Sequence, residues 1–399
     1  MQKVDGGVTA PKGFKAAGVR CGIKQQGLDL MLLASECDTT AAALFTTNAV
    51  QAAPVMVSRQ RVDSGMARAI VVNSGNANAC TGEQGMRDAE RMAQIAAAAL
   101  DVPEDEVLVA STGIIGNHLS MDKIEAGIAD AARELSAEAG NVAAEAIMTT
   151  DTKPKMIAVE TEIGGVSVRI GGMCKGVGMI APNMATMLAF ITTDAKITPR
   201  ALKQLLTDSV GVSFNCVTVD GDMSTNDSVF MLANGMAENP VIDDPGPDTE
   251  AFQAALDTVT IYLAREIARD GEGATKLVEI RVNGAESVED AKKMALTIAN
   301  SPLVKTAIFG QDPNWGRVLA AAGRSGAKMD PNKTDLYFGT AKIFAQGEPT
   351  RIQAEDARQP MLADELAITV ELNIGDASAK VWTCDFSYDY VKINAEYHT

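Results

Sequence analysis

Histidine is nearly missing from this chain: its 399 residues hold two, His118 and His398. That excludes a zinc site built on several histidines. A Ser-His-Asp triad would have to draw on one of the two, one of them the penultimate residue, so an enzyme of this sequence calls for another base. Cysteine is present six times, as Cys21, Cys37, Cys80, Cys174, Cys216 and Cys384, with no Cys-x-x-Cys spacing and no ladder of intervals. These read as reduced thiols of a cytoplasmic protein. A run of about 18 apolar residues, the length needed to cross a bilayer, is absent. The opening residues MQKVDGGVTAPKGF also lack the apolar stretch of a secretory signal. Positive charge is in deficit, with 35 Lys and Arg against 52 Asp and Glu and a net charge of −17. Such a chain repels phosphate backbones and anionic lipid, so neither nucleic acid nor membrane is expected as a partner. What is there is apolar material for a sizeable core, 46% of residues. The length suits two or three domains or one large one.

The apolar periods alternate. Residues 68–73 (RAIVVN) read as a buried strand ending in the polar turn Asn73-Ser74-Gly75. Ala89, Met92, Ala93, Ala96 and Leu100 then recur at helical spacing over about 83–100. Residues 107–110 (VLVA) form another strand, ending in Ser111-Thr112-Gly113, and Ile124, Ile128, Ala131 and Leu135 mark a helix reaching about 147. Strand, helix, strand with glycine-bearing turns is the pattern of an α/β unit. Residues 155–163 and 166–170 alternate around Gly164-Gly165, a hairpin signal. Thr198-Pro199 is an N-cap and N1 pair opening a helix to about 210. A loop over 238–250 precedes a helix carrying Phe252, Leu256, Val259, Leu263 and Ile267. Ser287 and Asp290 fit a capping box for a helix over 288–300, and the tail from about 367 to 393 reads as strand. A sheet-rich α/β or α+β core is expected.

The most unusual stretch is 171–195, GGMCKGVGMIAPNMATMLAFITTDA. Gly171, Gly172, Gly176, Gly178 and Lys175 run into an apolar segment broken by Pro182-Asn183, with Thr186 inside it. A threonine in an apolar run is ordinarily a satisfied core hydroxyl. The phosphate-loop spacing G-x-x-x-x-G-K-[ST] fails, because Lys175 is followed by Gly176. Asn73-Ser74-Gly75 and Ser111-Thr112-Gly113 fall at strand ends, where free backbone N–H groups bind oxyanions. The acidic run 220–227 lacks the twelve-residue calcium-loop pattern. Taken singly, it and the polar clusters at 149–152, 269–273 and 311–317 are loops.

Together these segments carry a resemblance. NSGNANACTG (73–82), STGIIG (111–116), MTTDT (148–152), GGMCKGVGMIAPNMATML (171–188), TTDA (192–195), DGDMSTNDS (220–228), RDGEGATK (269–276) and DPNWGR (312–317) span nearly the whole chain. In that order they resemble the ornithine acetyltransferase family, also called glutamate N-acetyltransferases or the ArgJ family.

The resemblance implies a precursor that cleaves itself at Ala185–Thr186, into segments 1–185 and 186–399 of 185 and 214 residues. Thr186 would then carry a free α-amine, whose pKa of about 7.7–8.0 lets it serve as base for its own hydroxyl. The implied reaction moves the acetyl group of N2-acetylornithine through an acetyl-Thr186 ester to L-glutamate, with ping-pong kinetics. Thr112 and Gly113 match the family's oxyanion hole. Thr149, Lys175, Thr186, Glu272, Asn394 and Thr399 match its substrate-binding positions. Lys175 suits a substrate carboxylate and Glu272 an ornithine ammonium. The implied fold is an αββα sandwich in the style of the N-terminal-nucleophile hydrolases, with two copies of each product chain per particle. No cofactor or metal is implied, and acetyl-CoA as a second acetyl donor is left open. Two rivals remain: a self-cleaving aminopeptidase that hands the acyl group to water, and a non-catalytic scaffold that stays uncut.

Overall fold

Near-continuous apolar runs such as AIVV and VLVA suit strands buried on both faces, and they form the middle of the fold. The computed structural model describes residues 1–181 and 187–396. A four-stranded sheet runs in the order Phe14–Val19, Leu30–Ser35, Ala69–Asn76, Val107–Ile114. Its first three strands are antiparallel, and the last pair is parallel. A six-stranded sheet runs Gln2–Val4, Lys155–Ile163, Val166–Lys175, Leu188–Thr193, Ser228–Ala233, Thr40–Phe45.

The two sheets pack face to face. Ile70, Val72 and Leu108 of the first meet Phe190, Phe230 and Leu232 of the second in one buried cluster. On the far side of the first sheet, helices Gly82–Leu100 and Met121–Glu134 cover Val71 and Val109 with Met92, Ile124 and Ile128. On the far side of the second, helices Pro199–Val212 and Pro247–Arg269 bury Leu202, Leu206, Phe252 and Val259. Helix, sheet, sheet, helix is the αββα sandwich that the resemblance implies. A third sheet, ordered Glu348–Pro349, Ala341–Ala345, Asp335–Phe338, Glu365–Glu371, Leu277–Ala285, Ala377–Cys384, packs its own core with helices Val288–Ala299, Pro302–Phe309 and Trp315–Gly323. It joins the sandwich through Leu277, Trp382 and Cys384, which sit in the cluster beneath helix Pro247–Arg269.

Strands on either side of residue 186 belong to one ladder. Val166–Lys175 pairs antiparallel with Leu188–Thr193, and Lys175 stands directly opposite Leu188. The segments 1–185 and 186–399 therefore share one sheet, four of its strands coming from the first and two from the second.

Several local expectations differ in extent. Asn73-Ser74-Gly75 and Ser111-Thr112-Gly113 are not turns after their strands. They prolong them, pairing Asn73 with Ser111, Ser74 with Thr112 and Gly75 with Gly113. Two glycines allow it. Gly113 has φ +134°, and a Cβ there would lie 2.3 Å from the Gly75 carbonyl carbon. The helix expected to run to 147 is two helices, Met121–Glu134 and Gly140–Ala146. It breaks where the Ser136 backbone exchanges hydrogen bonds with Ala16 on the edge of the first sheet. Tertiary pairing outbids local helix propensity there. The hairpin turn at Gly164-Gly165 is as expected, with both residues at positive φ, and its second strand continues to Lys175. Thr198 and Ser287 cap their helices through Ala201 N–H and Asp290 N–H. The loop expected over 238–250 is shorter, since its helix already begins at Pro247. The tail is strand only to Cys384 and then turns helical, Tyr388–Glu396. Ser387 Oγ accepts Asp389 N–H at its start, and Phe386 stacks on Tyr390 with centroids 4.6 Å apart.

Gly113→Ala is expected to destabilise the protein by about 2–4 kcal/mol, from strained φ plus overpacking. Urea unfolding of the variant checks it, and an unchanged midpoint contradicts the close strand approach.

Candidate active site

The prolonged strand pair ends at the rim of a pocket. Thr112 and Gly113 line it from the first sheet, Lys175 from the end of its hairpin strand, Glu272 from the loop after helix Pro247–Arg269, and Asn394 from the last helix. Thr149, ahead of strand Lys155–Ile163, completes the group. Six of the residues singled out in the sequence thus share one cavity, though they lie up to 282 positions apart. Ala185, Thr186 and Thr399 lie outside the described residues.

Lys175 is 4% exposed, and its Nζ donates to Thr112 Oγ1 at 3.2 Å. Burial pushes its ammonium below the ordinary lysine range, while the charges of Asp151, Asp227 and Glu272 pull it back up. Because Thr112 Oγ1 accepts from lysine, its own hydroxyl proton is free to point elsewhere. Glu272 is held at both oxygens: Thr150 Oγ1 donates to Oε1 and Asn394 Nδ2 to Oε2, each at 2.9 Å. Gly178 leaves the space for that carboxylate, since a Cβ there would lie 2.5 Å from Glu272 Oε2.

Beneath the pocket lies a buried cation between two carboxylates. Lys155 Nζ donates to Asp151 Oδ1 at 2.7 Å and to Asp270 Oδ2 at 2.5 Å. Asp151 Oδ1 also accepts Gly176 N–H at 2.8 Å, and Oδ2 accepts Thr149 N–H at 3.0 Å. Asp270 accepts Thr152 N–H and its hydroxyl. One triad therefore ties together the loops that carry Thr149, Lys175 and Glu272. Burial opposes ionisation of Asp151, but Lys155 and Lys175 outweigh it and hold the carboxyl at about 2. Burial also disfavours charge on Lys155, and Asp151 and Asp270 together raise its pKa above the ordinary value.

Two carboxylates of the acidic run at 220–227 accept backbone N–H groups. Asp220 accepts the N–H groups of Met179 and Ile180 at 2.7 and 2.9 Å, and Asp227 Oδ1 accepts that of Met187 at 3.0 Å. Burial drives the Asp227 carboxyl well above the usual carboxylate range. Sequence reasoning left Thr150, Ser224, Thr225 and Asn226 as ordinary loop residues, yet all four line the pocket. The signal was the density of Ser, Thr, Asn and Asp within MTTDT and DGDMSTNDS, which only the fold connects to Lys175.

The fold and pocket define a class. An αββα sandwich presents hydroxyl and backbone donors, a buried lysine and a fixed carboxylate in one cleft, groups suited to acyl transfer at amino-acid substrates. A profile described as the ArgJ family matches residues 15–399, and the chain belongs to that family. An arginine biosynthesis bifunctional protein ArgJ from Symbiobacterium thermophilum is 53% identical over 402 residues, covering all of both chains. The crystal structure of a protein of that name from Bacillus halodurans is 44% identical with a TM-score of 0.50, covering 52% of this chain and 97% of its own. A crystal structure of ornithine acetyltransferase complexed with ornithine, from Mycobacterium tuberculosis, is 45% identical with a TM-score of 0.41, covering 44% of this chain and 94% of its own.

Asp151 binds fewer protons folded than unfolded between about pH 4 and 2. Its stabilisation is complete above pH 4 and is lost as pH falls toward 2, about 2 kcal/mol in all. Asp151→Asn should flatten that part of the acid-denaturation profile. An acid limb of unchanged slope contradicts the triad's role.

Proposed function

We propose that this chain is a glutamate N-acetyltransferase that takes its acetyl group from N2-acetyl-L-ornithine, after cutting itself between Ala185 and Thr186. The observation that carries the reading is the meeting of Thr112, Gly113, Lys175, Glu272 and Asn394 in one pocket of an ArgJ-family chain. The half-length match to the Bacillus halodurans structure supports the cut. Its polypeptide covers 52% of this chain, close to the share of a 214-residue product.

The proposed chemistry runs on this chain's own groups and needs no cofactor. Thr186 Oγ attacks the acetyl carbonyl carbon, and its proton passes to the Thr186 α-amine. The tetrahedral oxyanion takes hydrogen bonds from the Thr112 hydroxyl and the Gly113 N–H. Lys175, donating to Thr112 Oγ1, leaves that hydroxyl proton free to turn toward the oxyanion. The carbon–nitrogen bond then breaks, the proton goes to the leaving amine, and ornithine departs from an acetyl-Thr186 ester. The glutamate amine attacks the ester through the same oxyanion, and N-acetylglutamate leaves as Thr186 Oγ recovers its proton. We assign Glu272, steadied by Thr150 and Asn394, to the ornithine ammonium. Lys175, Thr149 and Thr399 serve the remaining polar groups of the substrates, the lysine a carboxylate.

The relatives are named bifunctional, and we extend the proposal to acetyl-CoA as a second donor. The product chains are proposed to stay together as two copies of each. Their shared ladder, Lys175 opposite Leu188, supports their staying joined. Six unpaired cysteines, and the absence among the described residues of a helix able to cross a membrane, fit the cytoplasmic location we propose.

Intact mass under denaturing conditions, before and after N2-acetylornithine without glutamate, tests this. Two chains split at 185/186, with one acetyl on the 214-residue chain, are expected. Rapid loss of that acetyl to water without glutamate favours the aminopeptidase rival, and an uncut, unacetylated chain favours the scaffold. Thr186→Ala should abolish both cleavage and turnover, and a split Thr186→Ala protein overturns the nucleophile.

A further inference from the structure

Two neighbouring side chains in the 220–228 motif reach in different directions. Asn226 is 6% exposed, and its amide nitrogen donates to two backbone carbonyls, Ser111 O at 2.8 Å and Ala77 O at 2.6 Å. Ser111 O lies in the prolonged end of strand Val107–Ile114 and is part of the peptide bond to Thr112, and Ala77 O belongs to the residue that follows strand Ala69–Asn76. The Asn226 oxygen is fixed in turn, accepting from Thr225 Oγ1 at 2.6 Å. The next residue, Asp227, accepts the N–H of Met187, which follows Thr186 in the chain. Ser228 N–H donates to the Met187 carbonyl, opening the parallel ladder of Ser228–Ala233 with Leu188–Thr193. The Asn226 amide thus donates to the end of strand Val107–Ile114 and to the residue just past strand Ala69–Asn76, while its neighbours hold the start of strand Leu188–Thr193.

We propose that Asn226 is a positioning residue: with Asp227 it pins the Ser111–Gly113 segment of one sheet to the start of strand Leu188–Thr193 in the other. It thereby sets the separation of the oxyanion donors from Met187, the residue that follows Thr186 in the chain. The inference rests on the reading of Thr112 and Gly113 as the oxyanion hole and of Thr186 as the nucleophile. Face-to-face sheets are joined by apolar side chains alone over most of their area, and such contacts tolerate small slides. Hydrogen bonds from one amide to two carbonyls do not, because their strength falls steeply with distance and angle. An error of about 1 Å between nucleophile and oxyanion donors costs on the order of 100-fold in rate.

The test compares Asn226→Ala and Thr225→Val with Thr112→Val, each as the full-length protein. The readouts are maturation rate, kcat and KM for N2-acetylornithine, and melting temperature. Thr225→Val keeps the amide but removes the hydroxyl that orients it. Thr112→Val should lower kcat by about 100–1000-fold, as loss of an oxyanion donor does. Asn226→Ala should lower kcat by about 10–100-fold with KM within about twofold, and Thr225→Val less. Turnover is measured on the matured fraction, because the oxyanion of cleavage forms on the Ala185 carbonyl and that of turnover on the acetyl carbonyl. If kcat of Asn226→Ala stays within about twofold of the parent while Thr112→Val is crippled, the pin is wrong and the oxyanion reading stands. An equally active Thr112→Val sinks the oxyanion reading, and the pin with it. Should Asn226→Ala fail to fold, Thr225→Val decides: a kcat within about twofold of the parent overturns the proposal. So does a rise in KM matching any fall in kcat, which marks general damage.

Discussion

Lys155, with no side-chain surface exposed, is the contact on which the pocket depends. Taking a cation out of water costs several kcal/mol, and only close partners repay it. Here both partners are carboxylates with further duties. Asp151 accepts the backbone at Thr149 and Gly176, and Asp270, two residues before Glu272, accepts it at Thr152. The lysine therefore neutralises two groups that already fix three separate loops. Remove it and two buried carboxylates face each other, which is why the arrangement behaves as a unit rather than as a set of independent contacts.

Above that triad the molecule follows a consistent economy. Several of its buried carboxylates hold backbone. Asp29 accepts four consecutive N–H groups from Cys21 to Lys24. Asp220 holds the loop at Met179–Ile180, and Asp227 holds Met187. These are irregular segments, one of them lining the pocket at Met179, where no sheet ladder or helix satisfies the amides, and a buried amide left unpaired costs about as much as a lost hydrogen bond. An excess of acidic residues thus has a structural use at this site. The surrounding sandwich supplies rigidity, since the pocket's hydroxyls and backbone donors sit at the ends of buried strands rather than on free loops.

Much of the architecture was legible in the sequence because its signals are local. The Gly164-Gly165 hairpin, the Thr198 and Ser287 caps and the amphipathic helix beginning at Gly82 each follow from neighbours within a few residues. Where local reading failed, a distant partner was responsible. Ser136 leaves its helix to pair with Ala16, and Asn73-Ser74-Gly75 continues as strand because Gly113 lets a second backbone come close. The third sheet's separate core was invisible for the same reason: its strands, Leu277–Ala285 beside both Glu365–Glu371 and Ala377–Cys384, pair across nearly a hundred residues.

The sequence by itself determined the chemical inventory and the family. It left two histidines, so the base had to be sought elsewhere, and its ordered motifs pointed to acetyl transfer through a threonine. Tertiary structure alone decided which of those motifs meet. It brought Thr112 under the Lys175 ammonium, set Thr150 and Asn394 on the two oxygens of Glu272, and aimed Asn226 at two carbonyls more than a hundred residues upstream. The reason is physical. Residue type fixes what a side chain can donate, accept or ionise, whereas the distance between two such groups is set by sheet packing and buried charge, which no stretch of neighbouring residues encodes.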